Sequence, residues 1–293
     1  MKSSNILLPL SGDTMHAVTE PSASDPREWM LSQRDNVMTV LKSMLAAGTI
    51  TPEIVETALR SHFRTKHAPD EQPPSSAMPE PALDGSPLYV DVGDRTVHVI
   101  LSMVKPRAVV FGNFLSDEEC EELIEIARPR MKRAKTVDHD TGRNKINPAR
   151  SNDAMFFRRR ENPLVARIEE RVSRLVNWPV ERAEGLQVLH YRPGTEYKPH
   201  YDYFKPTASG TPATLARGGQ RIGTVVMYLN DVTRGGGTCF PDVGFEVAPK
   251  RGNAVFFSYP LPKPASLTLH GGNCVLEGEK WIATKWLREK EHR

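Results

Sequence analysis

Hydrophobic and polar positions change their period along this chain, and each change marks an element. Residues 1–24 hold no sustained period and read as a disordered start. From residue 25 the spacing is helical: Val37, Leu41, Met44 and Leu45 recur at helical intervals, and Val55, Leu59 and Phe63 do so again. Asp25, Pro26 and Glu28 supply a capping oxygen, a first-turn proline and a glutamate at the third position. Gly48 can end that helix, and Thr51-Pro52 starts the next. The pattern predicts a helical hairpin over 25–66. Six prolines then stand among serines and acidic residues between His67 and Pro87, the composition of a semi-extended linker over 67–87.

Residues 88–293 read as one further domain, mainly β with flanking helices. Arg107–Phe114 has strand character, and Ser116-Asp117-Glu118-Glu119 caps a helix carrying Leu123, Ile124 and Ile126. Pro163–Val176 predicts a second helix. After it the period turns to alternation: Leu186–Tyr191, Arg221–Leu229, Phe245–Ala248, Ala254–Tyr259, Ser266–His270 and Trp281–Leu287 are short runs broken by glycine and proline. Such runs at close spacing predict a sandwich or barrel, a jelly roll among the candidates.

Composition narrows the setting. Of 293 residues 39% are hydrophobic and 26% charged, ordinary for a globular chain. No apolar run approaches the roughly 20 residues that cross a bilayer, so no membrane partner is expected. The apolar patch Ile6–Leu10 is short for a secretory signal, and Cys120, Cys239 and Cys274 offer neither zinc spacing nor an even count. A reducing cytoplasm is the expected compartment. Residues 1–85 hold seven Lys/Arg against eleven Asp/Glu, net −4, and the remainder 32 against 25, net +7. That excess suits an acidic co-substrate or a polar peptide and is modest for nucleic acid.

The candidate chemistry begins at His200-Tyr201-Asp202. In an extended chain residues two apart face one side, so both outer side chains can reach one ion. His270, at the end of the run Ser266–His270, offers a third ligand. Two histidines and a carboxylate leave coordination positions open, the arrangement of iron(II) oxygenases. His-x-Asp alone is a weak motif. Lys280 strengthens it: a lysine at the start of a strand returning beside His270 needs an anionic partner, and the distal carboxylate of 2-oxoglutarate would supply one.

Leu186–Glu289 resembles the catalytic domain of prolyl 4-hydroxylases in the 2-oxoglutarate and iron(II) dioxygenase superfamily. The resemblance rests on Tyr191-Arg192-Pro193-Gly194, Tyr197-Lys198-Pro199-His200-Tyr201-Asp202-Tyr203-Phe204, Gln220-Arg221-Ile222 and Met227-Tyr228-Leu229. It continues through Gly235-Gly236-Gly237-Thr238-Cys239-Phe240-Pro241, His270, Gly278-Glu279-Lys280-Trp281 and Lys285-Trp286, with a weaker match over Pro106–Ala127. It implies a double-stranded β-helix (jelly roll) with His200, Asp202 and His270 on iron. By the same resemblance Lys280, Tyr191 and Thr238 bind 2-oxoglutarate, while Arg221, Tyr197 and Trp286 line the substrate side. The implied reaction uses Fe(II), consumes dioxygen and 2-oxoglutarate, with ascorbate as reductant, and hydroxylates a prolyl residue of a peptide or protein. Two positions depart from the pattern: many relatives have glutamate where Gly237 stands, and some have histidine where Arg288 stands.

Other residues invite plainer readings. His190 faces away from Tyr191 and reads as a packed strand residue; His139 reads as a loop residue. Arg158-Arg159-Arg160 with Arg150 reads as a solvated basic face, since only Phe156 and Phe157 accompany it as stacking partners. At least one of Trp281 and Trp286 belongs to a core. Val137–Arg150 and Lys205–Gly219 are polar segments able to close over an extended peptide. Two rival functions stand beside prolyl hydroxylation: hydroxylation of a free or carrier-bound amino acid, and a sensing or interaction protein recruiting a partner through the hairpin. The hairpin's apolar face predicts homo-oligomer formation or partner docking.

Overall fold

The computed structural model describes residues 78–292, apart from 135, 138–143 and 146–148. The expected disordered start, helical hairpin and first part of the linker lie outside the described residues, as do His139 and most of the segment Val137–Arg150. The end of the linker is corrected: it is docked, not a free tether. Pro79 and Pro81 are buried, Met78 and Leu83 pack on the core, and the Glu80 N–H donates to the Val176 carbonyl at 2.8 Å. A proline ring is apolar and brings no N–H that must be satisfied, so burying it is cheap even where composition reads as linker.

The chain then forms β1 (Tyr89–Asp91), β2 (Thr96–Met103) and β3 (Arg107–Gly112), followed by helix α1 (Asp117–Ala127). Ser116 and Glu119 close α1 reciprocally, each side chain accepting from the other's backbone N–H, as the capping sequence predicts. Short strands β4 (Lys132–Arg133), β5 (Thr136–Val137), β6 (Asn144–Lys145) and β7 (Asp153–Phe156) precede α2 (Pro163–Leu175), whose Asn162 caps Val165 N–H at 2.8 Å. Next come β8 (Gln187–Tyr191), β9 (Tyr197–His200), the short helix α3 (Thr211–Leu215) and β10 (Arg221–Tyr228). The remaining strands are β11 (Arg234–Gly235), β12 (Thr238–Phe240), β13 (Phe245–Val247), β14 (Ala254–Ser258), β15 (His270–Gly272), β16 (Val275–Glu277) and β17 (Lys280–Arg288).

Nine strands pair in the order β1-β2-β3-β14-β10-β17-β8-β7-β4, and four in the order β13-β12-β15-β9. The central strands of the large sheet are buried on both faces, and alternate residues enter different cores. Val225 and Met227 of β10 join α1 and α2 residues such as Leu123, Ile168 and Val172. Val226 and Tyr228 instead join Phe240 and Val247 of the small sheet. Helices thus cover one face and the four-stranded sheet the other, which explains why these strands read as near-continuous apolar runs. The mainly β, helix-flanked class expected from the sequence is the class observed.

One strand is misplaced by the sequence reading. Ser266–His270 is no strand: Pro264–Ser266 is a 3₁₀ turn, Leu267 takes φ 56°, and β15 begins at His270. Ser266 Oγ bonds Thr268 Oγ1 at 2.8 Å, a local side-chain bond that competes with ladder formation.

Candidate functional site

Between the two sheets a cavity is lined by His200, Asp202, His270, Tyr191, Tyr197, Thr238, Lys280 and Trp286, all singled out from the sequence. Its geometry begins in the small sheet, where β15 pairs with β9 and His270 stands opposite His200. The chain leaves β9 immediately after His200 and bends, carrying Asp202 inward. His200 Nε2 then lies 3.6 Å from Asp202 Oδ1, and His270 Nε2 lies 3.5 Å from Asp202 Oδ2. Ligand atoms of all three fall within 4.8 Å of one another.

The protonation states suit a cation. His200 Nδ1 donates to the Lys198 carbonyl and His270 Nδ1 to the Thr268 carbonyl, each at 2.9 Å. A carbonyl only accepts, so each Nδ1 carries a hydrogen and each Nε2 is the nitrogen turned to the shared space. Burial pushes His270 down to about 4, against the opposing pull of Asp202, so it is neutral at pH 7. Burial opposes ionisation of Asp202, but the two imidazoles and Arg221 outweigh it and hold the carboxyl well below its ordinary range. Two imidazoles and one carboxylate, aimed at one point, fit a divalent iron.

Lys280 is the second charged feature. It is 1% exposed, and its Nζ stands 5.2 Å from the centre of the Tyr191 ring. Tyr191 is its partner across the β8–β17 ladder. Burial lowers it to about 8. No carboxylate among the described residues forms an ion pair with it, so an anion entering the cavity would meet an unneutralised ammonium. Thr238 stands on the opposing sheet, its Oγ1 held at 2.8 Å by the Tyr228 hydroxyl.

Of the expected substrate-side residues, Tyr197 and Trp286 line the cavity and Arg221 does not. Tyr197 stacks on His200 with centroids 3.6 Å apart. Arg221 lies behind Trp286, 4.0 Å over its ring, and is gripped by both oxygens of Glu184 at 2.6 and 2.7 Å. Arg288 grips the same carboxylate at 2.8 Å and donates to the Gly219 and Thr214 carbonyls. One buried carboxylate therefore neutralises part of a pair of guanidiniums, and the cations hold it low, to about 2, against burial. His190 packs against Trp281 with centroids 4.0 Å apart and bonds Glu279 at 2.7 Å, as its plainer reading expects.

Sequence reasoning missed Thr224, Tyr259 and Glu184. Thr224 Oγ1 donates to Asp202 Oδ2 at 2.7 Å and is itself 2.9 Å from the Tyr259 hydroxyl. A signal for Thr224 existed: it is the lone hydroxyl inside the apolar run Ile222–Met227. Glu184 precedes its strand and carries no local signal. Gly237, the departure noted in the sequence, lies beneath the exposed side chain of Glu246. A Cβ there would lie 1.8 Å from Glu246 Oε1, so the Glu246 side chain fills the space above the glycine.

Residues 186–288 match the 2OG-Fe(II) oxygenase superfamily. The chain is 42% identical over 223 residues to prolyl 4-hydroxylase 5 of Arabidopsis thaliana, covering 69% of this chain and 74% of that protein. It is 41% identical over 211 residues to probable prolyl 4-hydroxylase 10 of the same plant, covering 64% and 71%. A solved viral collagen prolyl hydroxylase from Paramecium Bursaria Chlorella virus-1 aligns at 27% identity with a TM-score of 0.47, over 62% of this chain and 95% of that one.

Proposed function

Because the chain belongs to the 2OG-Fe(II) oxygenase superfamily, in its prolyl 4-hydroxylase-like branch, we propose that it hydroxylates prolyl residues of a peptide or protein at C4. It is a 2-oxoglutarate-dependent dioxygenase using Fe(II), 2-oxoglutarate and O2. In this reading His200, Asp202 and His270 hold the iron, Lys280 takes the distal carboxylate of 2-oxoglutarate, and Tyr191 and Thr238 flank that co-substrate. Tyr197 and Trp286 form the substrate wall, with Arg221 bracing Trp286 from behind. The nine- and four-stranded sheets are read as the two faces of a double-stranded β-helix. The observation that carries the chemistry is one cavity holding both the His-Asp-His cluster and a buried lysine without an anionic partner. The choice of proline is supported by the relatives.

Iron with 2-oxoglutarate and dioxygen supplies the power to turn a C–H into a C–OH as 2-oxoglutarate becomes succinate and carbon dioxide. The chain's own share is to position and to exclude water. Thr224 fixes one oxygen of Asp202, the backbone carbonyls fix both imidazoles, and Tyr197 caps His200. The test is direct: proline-containing peptides should stimulate succinate formation and gain the mass of one oxygen in a 2-oxoglutarate-dependent manner. If peptide panels stay unmodified while a free amino acid is hydroxylated, the small-molecule reading replaces this one.

A pH effect follows from Lys280. Its ammonium is the form that attracts a carboxylate, and burial has lowered it to about 8. Below that value the lysine is already charged and 2-oxoglutarate affinity is flat. Above it, binding must take up a proton, so affinity falls by up to about tenfold per pH unit. Anaerobic calorimetry with Fe(II) across the range, in buffers of different ionisation enthalpy, reads both affinity and proton uptake. A dissociation constant unchanged well above pH 8 removes Lys280 from the co-substrate site.

A further inference from the structure

The cavity face of the large sheet can be followed across its strands by register. Val226 pairs with Thr284, Thr284 with Gln187, and Gln187 with Phe156. Directly opposed side chains share a face, so Phe156 belongs to the row that includes two cavity-lining residues, Val226 and Thr284. It is nonetheless 51% exposed, on a strand whose preceding residue, Met155, is buried.

Its neighbour explains the interest of that exposure. The Phe156 ring lies 6.3 Å from Trp286, with 37° between the planes. Trp286 is 7% exposed, its position fixed by Arg221, and its Nε1 is buried without a hydrogen-bond partner. An unpaired buried N–H is costly, so each one calls for an explanation. A single exposed phenylalanine is ordinary surface. This one continues a cavity wall from a fixed indole.

We propose that Phe156 is a specificity-determining residue, contacting a second prolyl ring of the substrate two residues from the target proline that lies against Trp286. The inference rests on the prolyl-peptide reading above. A proline-rich chain takes the polyproline II form, which rises about 3.1 Å per residue with three residues per turn. Measured along the helix axis two residues rise about 6.2 Å, comparable to the ring separation, against about 3.1 Å for one and about 9.3 Å for three. The threefold turn also lets residues two apart rest on one wall while the residue between them points away.

The experiment uses the full chain with Fe(II) and 2-oxoglutarate and a polar host peptide. The peptide carries a target proline alone, or with a second proline one or two residues away on either side. The two-residue spacing on one side should be favoured in kcat/KM by about three- to tenfold, the range of an aromatic contact. Phe156→Ala should collapse that ratio to about one, mainly through KM, while Phe156→Trp keeps it. Anaerobic peptide dissociation constants should show the same ordering. A ratio that survives Phe156→Ala overturns the subsite. A wild-type chain that hydroxylates none of the prolyl peptides instead overturns the prolyl reading, and the subsite with it.

Discussion

Replacing His270 by alanine is expected to give a folded chain that no longer retains iron and forms no succinate. His270 stands at the first position of β15 opposite His200, and its Nε2 is one of two imidazole nitrogens facing Asp202. With it gone, one imidazole and one carboxylate remain, too few to hold a divalent ion in a protein that must also leave room for a bidentate co-substrate. His200→Ala and Asp202→Ala should behave alike. A graded control comes from Thr224, which touches the cluster only through Asp202. Thr224→Val keeps the shape, removes that hydrogen bond, and should weaken iron or activity by about 10- to 100-fold, the usual cost of a lost outer partner. Metal content after dialysis and 2-oxoglutarate turnover are the measurements. Near-normal iron and hydroxylation in His270→Ala would show that the cluster is not the metal site.

The second large effect belongs to Lys280. Lys280→Ala should weaken 2-oxoglutarate by a factor on the order of 100 to 1,000, because breaking a buried ion pair costs about 3–5 kcal/mol. Iron content should stay normal, since the lysine lies outside the cluster. Stability makes the test sharper. In the absence of co-substrate the ammonium is buried against the Tyr191 ring, with no ion pair to a carboxylate among the described residues. Removing an unpaired buried charge relieves a cost. Lys280→Met should therefore leave the melting temperature of the co-substrate-free chain unchanged or raised, while abolishing the stabilisation that 2-oxoglutarate gives the parent chain. A Lys280→Met chain that melts much earlier would mean that the lysine is a structural residue with a partner, not a receptor for an anion.

The cluster and the lysine were legible because their residue types are rare in strand-like runs and their spacing is local: Asp202 stands two positions after His200, and Lys280 ten after His270. The long strands were legible too, since Arg221–Tyr228 and Lys280–Arg288 are long enough to show composition. The small sheet was mostly hidden. Tyr197–His200 contains a proline and Thr238–Phe240 has three residues, too short for alternation to register. His270 was assigned to the wrong end of its strand because hydroxyl bonding at Ser266 and Thr268 is invisible to a periodicity argument. Glu184 and Tyr259 matter only through partners dozens of residues away, and no local pattern announces such pairings.

Glu246 draped over Gly237 ties two positions into one unit of sequence change. A glutamate introduced at 237 would displace the Glu246 side chain and bring two like charges close together, an unfavourable arrangement. Loss of Glu246 first would leave Gly237 bare and free to accept any side chain. The order in which a lineage makes these two substitutions is thus not neutral. One route brings two carboxylates together and the other does not.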